Sequence, residues 1–327
     1  MKILLTGANG FVGSHILDQL CAADHRVRVL LRKSSRTGFI ETRLPGIEVR
    51  YGSLDDPESV VEAVRGADGV IHCAGKTKAV RAAEYDAVNL QGTRNVVRAV
   101  NIEKGTVKHL IHISSLAANH PAGVGAPALE TDAPGPVSEY GRSKLRAEGL
   151  VRESCEAPFT ILRPAAVYGP RDADFLPVFK AIRRHLMPLI GGGRMQLSLV
   201  YVGDVAAAAL RCLGDPRAYG KTYHVASPEP CATRDFLREI ASVMNVRAVP
   251  VFIPFALLYP AALGRELLAR VTGKPNILSR QKLKEMKASG WVCSTDLIRR
   301  DLQFTAGTTL REGIARTIIW YEQNGWI

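Results

Sequence analysis

Six cysteines in 327 residues are too few and too scattered to staple a fold. Cys21, Cys73, Cys155, Cys212, Cys231 and Cys293 form no Cys-x-x-Cys pair and no Cys/His cluster of metal-ligand spacing, so neither a disulfide framework nor a metal site is expected. A reduced, cytoplasmic setting fits that usage. Long apolar runs are missing too. The longest uncharged stretch, Ala248 to Gly264, has 17 residues and is interrupted by Pro250, Pro254 and Pro260, too short and too broken to span a bilayer comfortably. Only Met1 and Lys2 precede the first apolar stretch, without the charged and apolar regions of a secretory leader. No internal repeat or low-complexity tract appears. Acid is in short supply: 31 Asp and Glu face 43 Lys and Arg, a net charge of +12. The basic residues are dispersed and no nucleic-acid-reading motif accompanies them, so a solvated basic surface is expected rather than a nucleic-acid partner.

What is present begins at the N-terminus. Lys2-Ile3-Leu4-Leu5-Thr6 reads as a buried strand that turns sharply at Gly7-Ala8-Asn9-Gly10-Phe11-Val12-Gly13 into a helix carrying Ile16, Leu17 and Leu20 on its apolar face. Gly7 and Gly10 let the backbone bend and approach a pyrophosphate, and Gly13 lets helix and strand pack closely, with the helix N-terminus facing the anion. The spacing is Gly-x-x-Gly-x-x-Gly, a variant of the usual dinucleotide fingerprint. At the end of a second strand, His25 to Leu31, an acid would bond the 2′-hydroxyl of NAD. Arg32, Lys33, Ser34 and Arg36 stand there instead, cations and hydroxyls suited to a 2′-phosphate, so NADP is favoured over NAD.

Further strands are expected over Gly46–Gly52, Ala67–Gly75, His109–Ser115 and Phe159–Pro164, with helices at Pro57–Val64, capped by Asp56 or Asp55, at Tyr85–Val100, and from Ser138 onward. This alternation implies an α/β fold with a doubly wound parallel sheet. His72, inside an apolar strand, reads as a core histidine. Beyond Pro164 the rhythm lapses except for a strand at Leu197–Val202, a helix at Asp204–Leu213 and a strand at Lys221–Val225. The expected division is a cofactor domain of 1–164 and 201–226 and a smaller mixed substrate domain of 165–200 and 227–327.

The chemistry centres on Tyr140 and Lys144, four residues apart at a helix start and so on one helix face. A cation beside a phenol favours the phenolate, which suits proton transfer near neutral pH. The pair follows a strand ending in Ser114-Ser115. Together with Thr6–Gly13, Val88-Asn89-Leu90-Gln91-Gly92-Thr93, Ile113-Ser114-Ser115, Tyr140-Gly141-Arg142-Ser143-Lys144, Leu162-Arg163-Pro164, Val167-Tyr168-Gly169-Pro170 and Val200-Tyr201-Val202-Gly203-Asp204, it resembles the extended short-chain dehydrogenase/reductase family. The resemblance implies a Rossmann domain, Ser115 polarising a substrate carbonyl with Ser114 as the neighbouring alternative, Tyr140 as acid/base, and Lys144 holding the ribose and lowering the tyrosine pKa. It places Asn89 near the active site. It assigns the cofactor to Gly7, Asn9, Gly10, Phe11, Val12, Gly13, Arg32, Ser53, Leu54, Ala74, Gly75, Asn89, Ile113, Tyr140, Lys144, Pro164 and Val167, with no metal, and it implies a homodimer acting on a small molecule.

Departures from the family pattern narrow the branch. The Thr-Asp-Glu of nucleotide-sugar dehydratases is here Ser115-Leu116-Ala117, and at the place of the diphosphate-holding arginine of nucleotide-sugar epimerases stands Leu197, with Arg194 three residues earlier, which weakens the epimerase reading without removing it. The family's Gly-Asp-Leu after the third strand is Gly52-Ser53-Leu54. The chain is therefore most similar to 3β-hydroxysteroid dehydrogenase-like and dihydroflavonol reductase-like members. The expected activity is NADP-dependent interconversion of a secondary alcohol and a ketone. The alternatives are an NAD-dependent nucleotide-sugar 4-epimerase and a non-catalytic cofactor-binding subunit. Lys76, Thr77, Lys78 and Arg81 read as a solvated loop rather than an anion site. Leu263, Leu267, Leu268 and Val271 form an apolar stripe flanked by Arg265, Arg270 and Lys274, read as domain packing ahead of a membrane-surface contact.

Overall fold

The computed structural model describes residues 1–272 and 280–327; Lys274 and the side chains of Leu267, Arg270 and Val271 lie outside the described residues. The chain runs β1 (Lys2–Thr6), α1 (Phe11–Ala22), β2 (Arg26–Leu31), β3 (Glu48–Tyr51), α2 (Pro57–Val64), β4 (Gly69–His72), α3 (Ala82–Tyr85), a π-helical turn (Asp86–Gln91), α4 (Gly92–Ile102), β5 (His109–Ile113), α5 (Glu139–Ser154) and β6 (Phe159–Pro164). It continues through β7 (Ala166–Tyr168), α6 (Leu176–Arg183), β8 (Leu186–Ile190), β9 (Gln196–Leu197), β10 (Leu199–Tyr201), α7 (Val202–Cys212), β11 (Lys221–Val225), β12 (Cys231–Ala232) and α8 (Thr233–Val243). The last elements are β13 (Val249–Ile253), α9 (Phe255–Thr272), α10 (Arg280–Met286), β14 (Gly290–Trp291), α11 (Asp296–Leu302) and α12 (Leu310–Gln323).

Seven strands form one parallel sheet in the order β11-β6-β5-β4-β1-β2-β3. The order reverses between β1 and β4, the switch point beside which ligands bind in doubly wound sheets. Strand side chains alternate between two apolar layers. Ile3 and Leu5 pack with α1 and α7, through Ile16, Leu17, Leu20, Val205 and Ala209. Leu4, Val70 and Leu110 face α2, α4 and α5, through Val60, Val64, Val96, Val100 and Val151. Burial on both sides is why these strands read as continuous apolar runs. Asp56 caps α2, accepting from the Ser59 amide, with Pro57 at the first position.

A third core gathers Tyr168, Phe179, Leu189, Phe236, Ile314 and Tyr321 beside the sheet. Small sheets border it: β10 with β7, β12-β9-β14, and β13 with β8. α11 returns to the first layer, burying Ile298 and Leu302.

Two expectations are corrected. The single strand over Leu197–Val202 is broken at Ser198, whose amide donates to the Trp291 carbonyl and whose hydroxyl accepts from the Cys293 amide, so β9 and β10 join different sheets. The helix over Tyr85–Val100 runs from Ala82 to Ile102 and carries a π-turn around Asn89.

One buried ion pair bolts α5 to the sheet. Glu148, fully buried, accepts from Arg163 Nε at 2.9 Å and Nη2 at 2.7 Å, from Ser114 Oγ at 2.5 Å and from Arg152 at 2.9 Å. Burial opposes ionisation, but the bonds from Arg163 and Ser114 and the nearby Arg152 charge hold the carboxyl below its ordinary range. Its contribution is therefore present at neutral pH and lost as the pH falls through that lowered value. Glu148→Ala strands the Arg163 guanidinium and is expected to destabilise the fold by about 3–5 kcal/mol, read as a lower denaturant midpoint in equilibrium unfolding.

Candidate active site

The turn between β1 and α1 is built for close approach. Gly7 takes φ +73°, and a Cβ there would lie 2.6 Å from the Ala74 nitrogen. A Cβ on Gly13 would lie 2.0 Å from the Gly7 carbonyl oxygen. The Gly10 amide closes the turn on that oxygen at 3.0 Å. No side chain caps α1 and no acid occupies its first turn, so the N–H groups from Phe11 to Gly13 are left for an anion. The residues therefore fit a dinucleotide. Phe11 and Val12 also pack into the third core, and His15 and Gln19 bond the Pro170 and Gly203 carbonyls, anchoring the helix.

At the other end of the turn, Asn9 Nδ2 donates to the Arg36 carbonyl at 3.2 Å, tying the glycine turn to the basic loop. Arg32 is exposed at the start of that loop, its amide donating to Ser35 Oγ. Asp55, the alternative cap candidate of α2, is instead held below its ordinary pKa by the Ser53 hydroxyl and further by the Arg32 charge. The Ser53 amide donates to Ser59 Oγ, and Leu54 packs against Gly92 and accepts from Asn95.

Beyond β4, a one-way chain of hydrogen bonds fixes the floor. The Ala74 amide donates to Thr6 Oγ1 at 3.2 Å, Thr6 Oγ1 lies 2.8 Å from His72 Nδ1, His72 Nε2 lies 3.0 Å from Thr93 Oγ1, and Thr93 Oγ1 donates to the Asn89 carbonyl at 2.6 Å. Because Thr93 spends its only proton on Asn89, His72 must carry its proton on Nε2 and accept from Thr6 on Nδ1. Burial drives its pKa down to about 3, so His72 is the core histidine expected. The Asn89 side chain is wholly committed as well, accepting from the Lys76 amide at 2.7 Å and donating to the Lys76 carbonyl at 3.0 Å and Ser143 Oγ at 2.9 Å. It acts on the site by holding the 74–76 segment. A Cβ on Gly75 would sit 3.2 Å from both Asn89 Oδ1 and Lys144 Nζ, so Ala74, Gly75, Asn89 and Lys144 share one corner.

The two serines after β5 part company. Ser114 is bound to Glu148, whereas the Ser115 hydroxyl interacts with the Tyr140 phenol. Lys144 is buried and donates to the Ile113 carbonyl at 2.8 Å, and burial draws its pKa down to about 8. Here an expectation is corrected: the phenol of Tyr140 is pushed well above its ordinary value, by burial first and then by Glu285, Tyr85 and Cys73, with Ser115 pulling the other way. Four-residue spacing put Tyr140 and Lys144 on one face, and the lysine ammonium spends a hydrogen bond on the β5 carbonyl of Ile113. Glu285, from α10, and Tyr85, whose ring centre lies 6.1 Å from that of Tyr140, had no local sequence signal. Gln281 of α10 accepts from the Glu139 amide, placing α10 beside the start of α5. Pro164 ends β6 and Val167 lies in β7. The loop cations are matched by acids: Lys76 pairs with Glu84 and Lys78 with Asp174.

Residues 3–226 match the NAD dependent epimerase/dehydratase family. A ceramide reductase of Caulobacter vibrioides is 27% identical, over 99% of this chain and 96% of its own. An N-acetyl-alpha-D-glucosaminyl-diphospho-ditrans,octacis-undecaprenol 4-epimerase of Escherichia coli O157:H7 is 27% identical, over 97% and 94%. A UDP-glucose 4-epimerase of Thermus thermophilus, solved with NAD, superposes with a TM-score of 0.77 at 24% identity, over 98% of this chain and 99% of the other.

Since Gly13 has no room for a methyl group, Gly13→Ala is expected to weaken binding of the reduced nicotinamide dinucleotide by at least about tenfold, measured by titrating its fluorescence.

Proposed function

The chain belongs to the NAD-dependent epimerase/dehydratase family, an extended short-chain dehydrogenase/reductase enzyme, and we propose that it interconverts a ketone and a secondary alcohol with NADP. The observation that carries this reading is the Ser115–Tyr140 pair with Lys144 at one end of the glycine cradle, on a segment whose following residues, Leu116 and Ala117, offer no second acid. Leu197, buried in the third core where a nucleotide-sugar epimerase would carry an arginine, supports reduction over epimerisation. The ceramide reductase relative supports an apolar substrate.

In this reading residues 165–200 and 227–327 hold the substrate, and 1–164 with 201–226 hold the cofactor. Gly7, Asn9, Gly10, Phe11, Val12 and Gly13 would hold the pyrophosphate, Arg32 the 2′-phosphate, Ser53 and Leu54 the adenine. Lys144 and Tyr140 would hold the ribose, and Ala74, Gly75, Ile113, Pro164 and Val167 would line the nicotinamide. That group, when bound, supplies the hydride. Ser115 donates a hydrogen bond to the ketone oxygen, and Tyr140 gives the same oxygen its phenolic proton. The phenol is protonated at neutral pH and so carries the proton that the reductive direction needs. Lys144, with a pKa of about 8, is charged at neutral pH and faces the anionic cofactor as an ammonium.

The second reading, a nucleotide-sugar 4-epimerase, draws support from the Escherichia coli relative. Stoichiometric NADPH oxidation with an apolar ketone separates the two, since an epimerase returns its hydride and consumes no cofactor. Tyr140→Phe is expected to lower that oxidation by about 10²–10⁴-fold and to weaken NADPH binding far less, since Lys144 still holds the ribose; undiminished turnover would sink the assignment of Tyr140. Arg32→Glu is expected to shift the NADPH-to-NADH ratio of kcat/KM toward NADH by about tenfold or more, in parallel steady-state assays.

A further inference from the structure

The surface from Val249 to Leu268 is built the wrong way round for water. Of the fourteen most exposed large apolar side chains among the described residues, seven fall in this segment, Phe252 and Leu257 at 64% and 66% exposure among them. α9 presses a narrow stripe inward, with Leu258 partly covered and Ala262 and Ala269 buried, and turns Leu257, Tyr259, Pro260 and Leu263 outward. A surface helix ordinarily directs charge outward. Here no charged residue occurs from Ala248 to Gly264. β13 continues the patch: it pairs only with β8 among the described residues, and Val249 lies in register beside the exposed Leu186.

Cations flank this surface. Arg184 stands two residues before β8 and Arg247 two before β13, where the Val249 amide donates to the His185 carbonyl and the His185 ring meets the Arg247 carbonyl. Lys180 stands one turn before Arg184 on α6. At the start of α9, the Lys287 ammonium lies 5.7 Å from the centre of the Phe255 ring. No helix among the described residues is long and apolar enough to cross a membrane. Apolar residues in the middle, lysine and arginine at the margins and an intermediate length are the make-up of an element that lies in the plane of an anionic interface.

We propose that the Val249–Leu268 surface docks this protein on a bilayer containing anionic phospholipid, with β13 and the outward face of α9 in the headgroup region and Lys180, Arg184, Arg247 and Lys287 against the lipid phosphates. A second copy of the chain is a poorer occupant. Two-fold pairing through this face would set those cations against their own images on a chain of net charge +12. The docking face is continuous with the site, because α10, beside α9, brings Glu285 to the Tyr140 phenol and Gln281 to the Glu139 amide. A bilayer-dissolved substrate would thus meet the enzyme on the side where the catalytic phenol is covered. The docking stands whether or not the substrate is the ketone proposed above.

The test is vesicle flotation of the full chain without substrate, using phosphatidylcholine vesicles with and without phosphatidylglycerol. Protein is expected to float with the phosphatidylglycerol vesicles, far less with phosphatidylcholine alone, and to be partly released by high salt. Leu257→Glu combined with Leu263→Glu is expected to cut the floated fraction about tenfold while leaving the NADPH titration unchanged, which shows that the variant is folded. Arg184→Glu with Arg247→Glu should abolish the preference for phosphatidylglycerol. The proposal fails if the wild-type chain does not float with anionic vesicles, or if Leu257→Glu/Leu263→Glu floats as the parent does. It fails equally if sedimentation equilibrium shows a dimer that the same double variant splits, which would put a second copy on this face.

Discussion

The parallel sheet and the helices around its switch point depend on one near-collision, that of α1 with the end of β1. The Gly13 Cα lies so close to the Gly7 carbonyl that a methyl group would sit 2.0 Å from its oxygen. Gly7 must in turn adopt a positive φ under Ala74. The contact brings the uncapped first turn of α1 up to the switch point of the sheet, where β1 and β4 diverge. Any side chain at either position would push the helix dipole away from the place where an anion can use it.

The same economy governs the chemical end. Ser114 and Ser115 are adjacent, yet one bolts α5 to the sheet through Glu148 and Arg163 while the other faces Tyr140. Alternation along an extended backbone sends them to opposite sides. The helix that carries Tyr140 and Lys144 is thus held by the residue next to the one that shares its chemistry.

The sheet was legible because its central strands, β1, β4 and β5, are runs buried on both faces, and the cradle because only glycine fits where Gly7 and Gly13 stand. Other features left no local trace. The break at Ser198 comes from hydrogen bonds to Trp291 and Cys293, far along the chain. The π-turn at Asn89 coincides with a side chain committed to Lys76 and Ser143, which spacing does not reveal. The direction of the Tyr140 shift depends on burial and on Glu285, whereas the four-residue spacing told only that lysine and tyrosine share a helix face. Sequence periodicity reports which face of an element is buried; it does not report which partner a long polar side chain chooses.

The chain of hydrogen bonds from Ala74 through Thr6, His72 and Thr93 to Asn89 has a further consequence. Every donor in it has one acceptor and every proton one place, and the histidine in the middle stays neutral down to a pKa of about 3. The wiring therefore has a single polarity throughout the neutral range. The histidine in the middle thus serves as insulation: it transmits the position of Thr6 and Thr93 to the corner beside Gly75 without bringing a charge of its own next to the Lys144 ammonium.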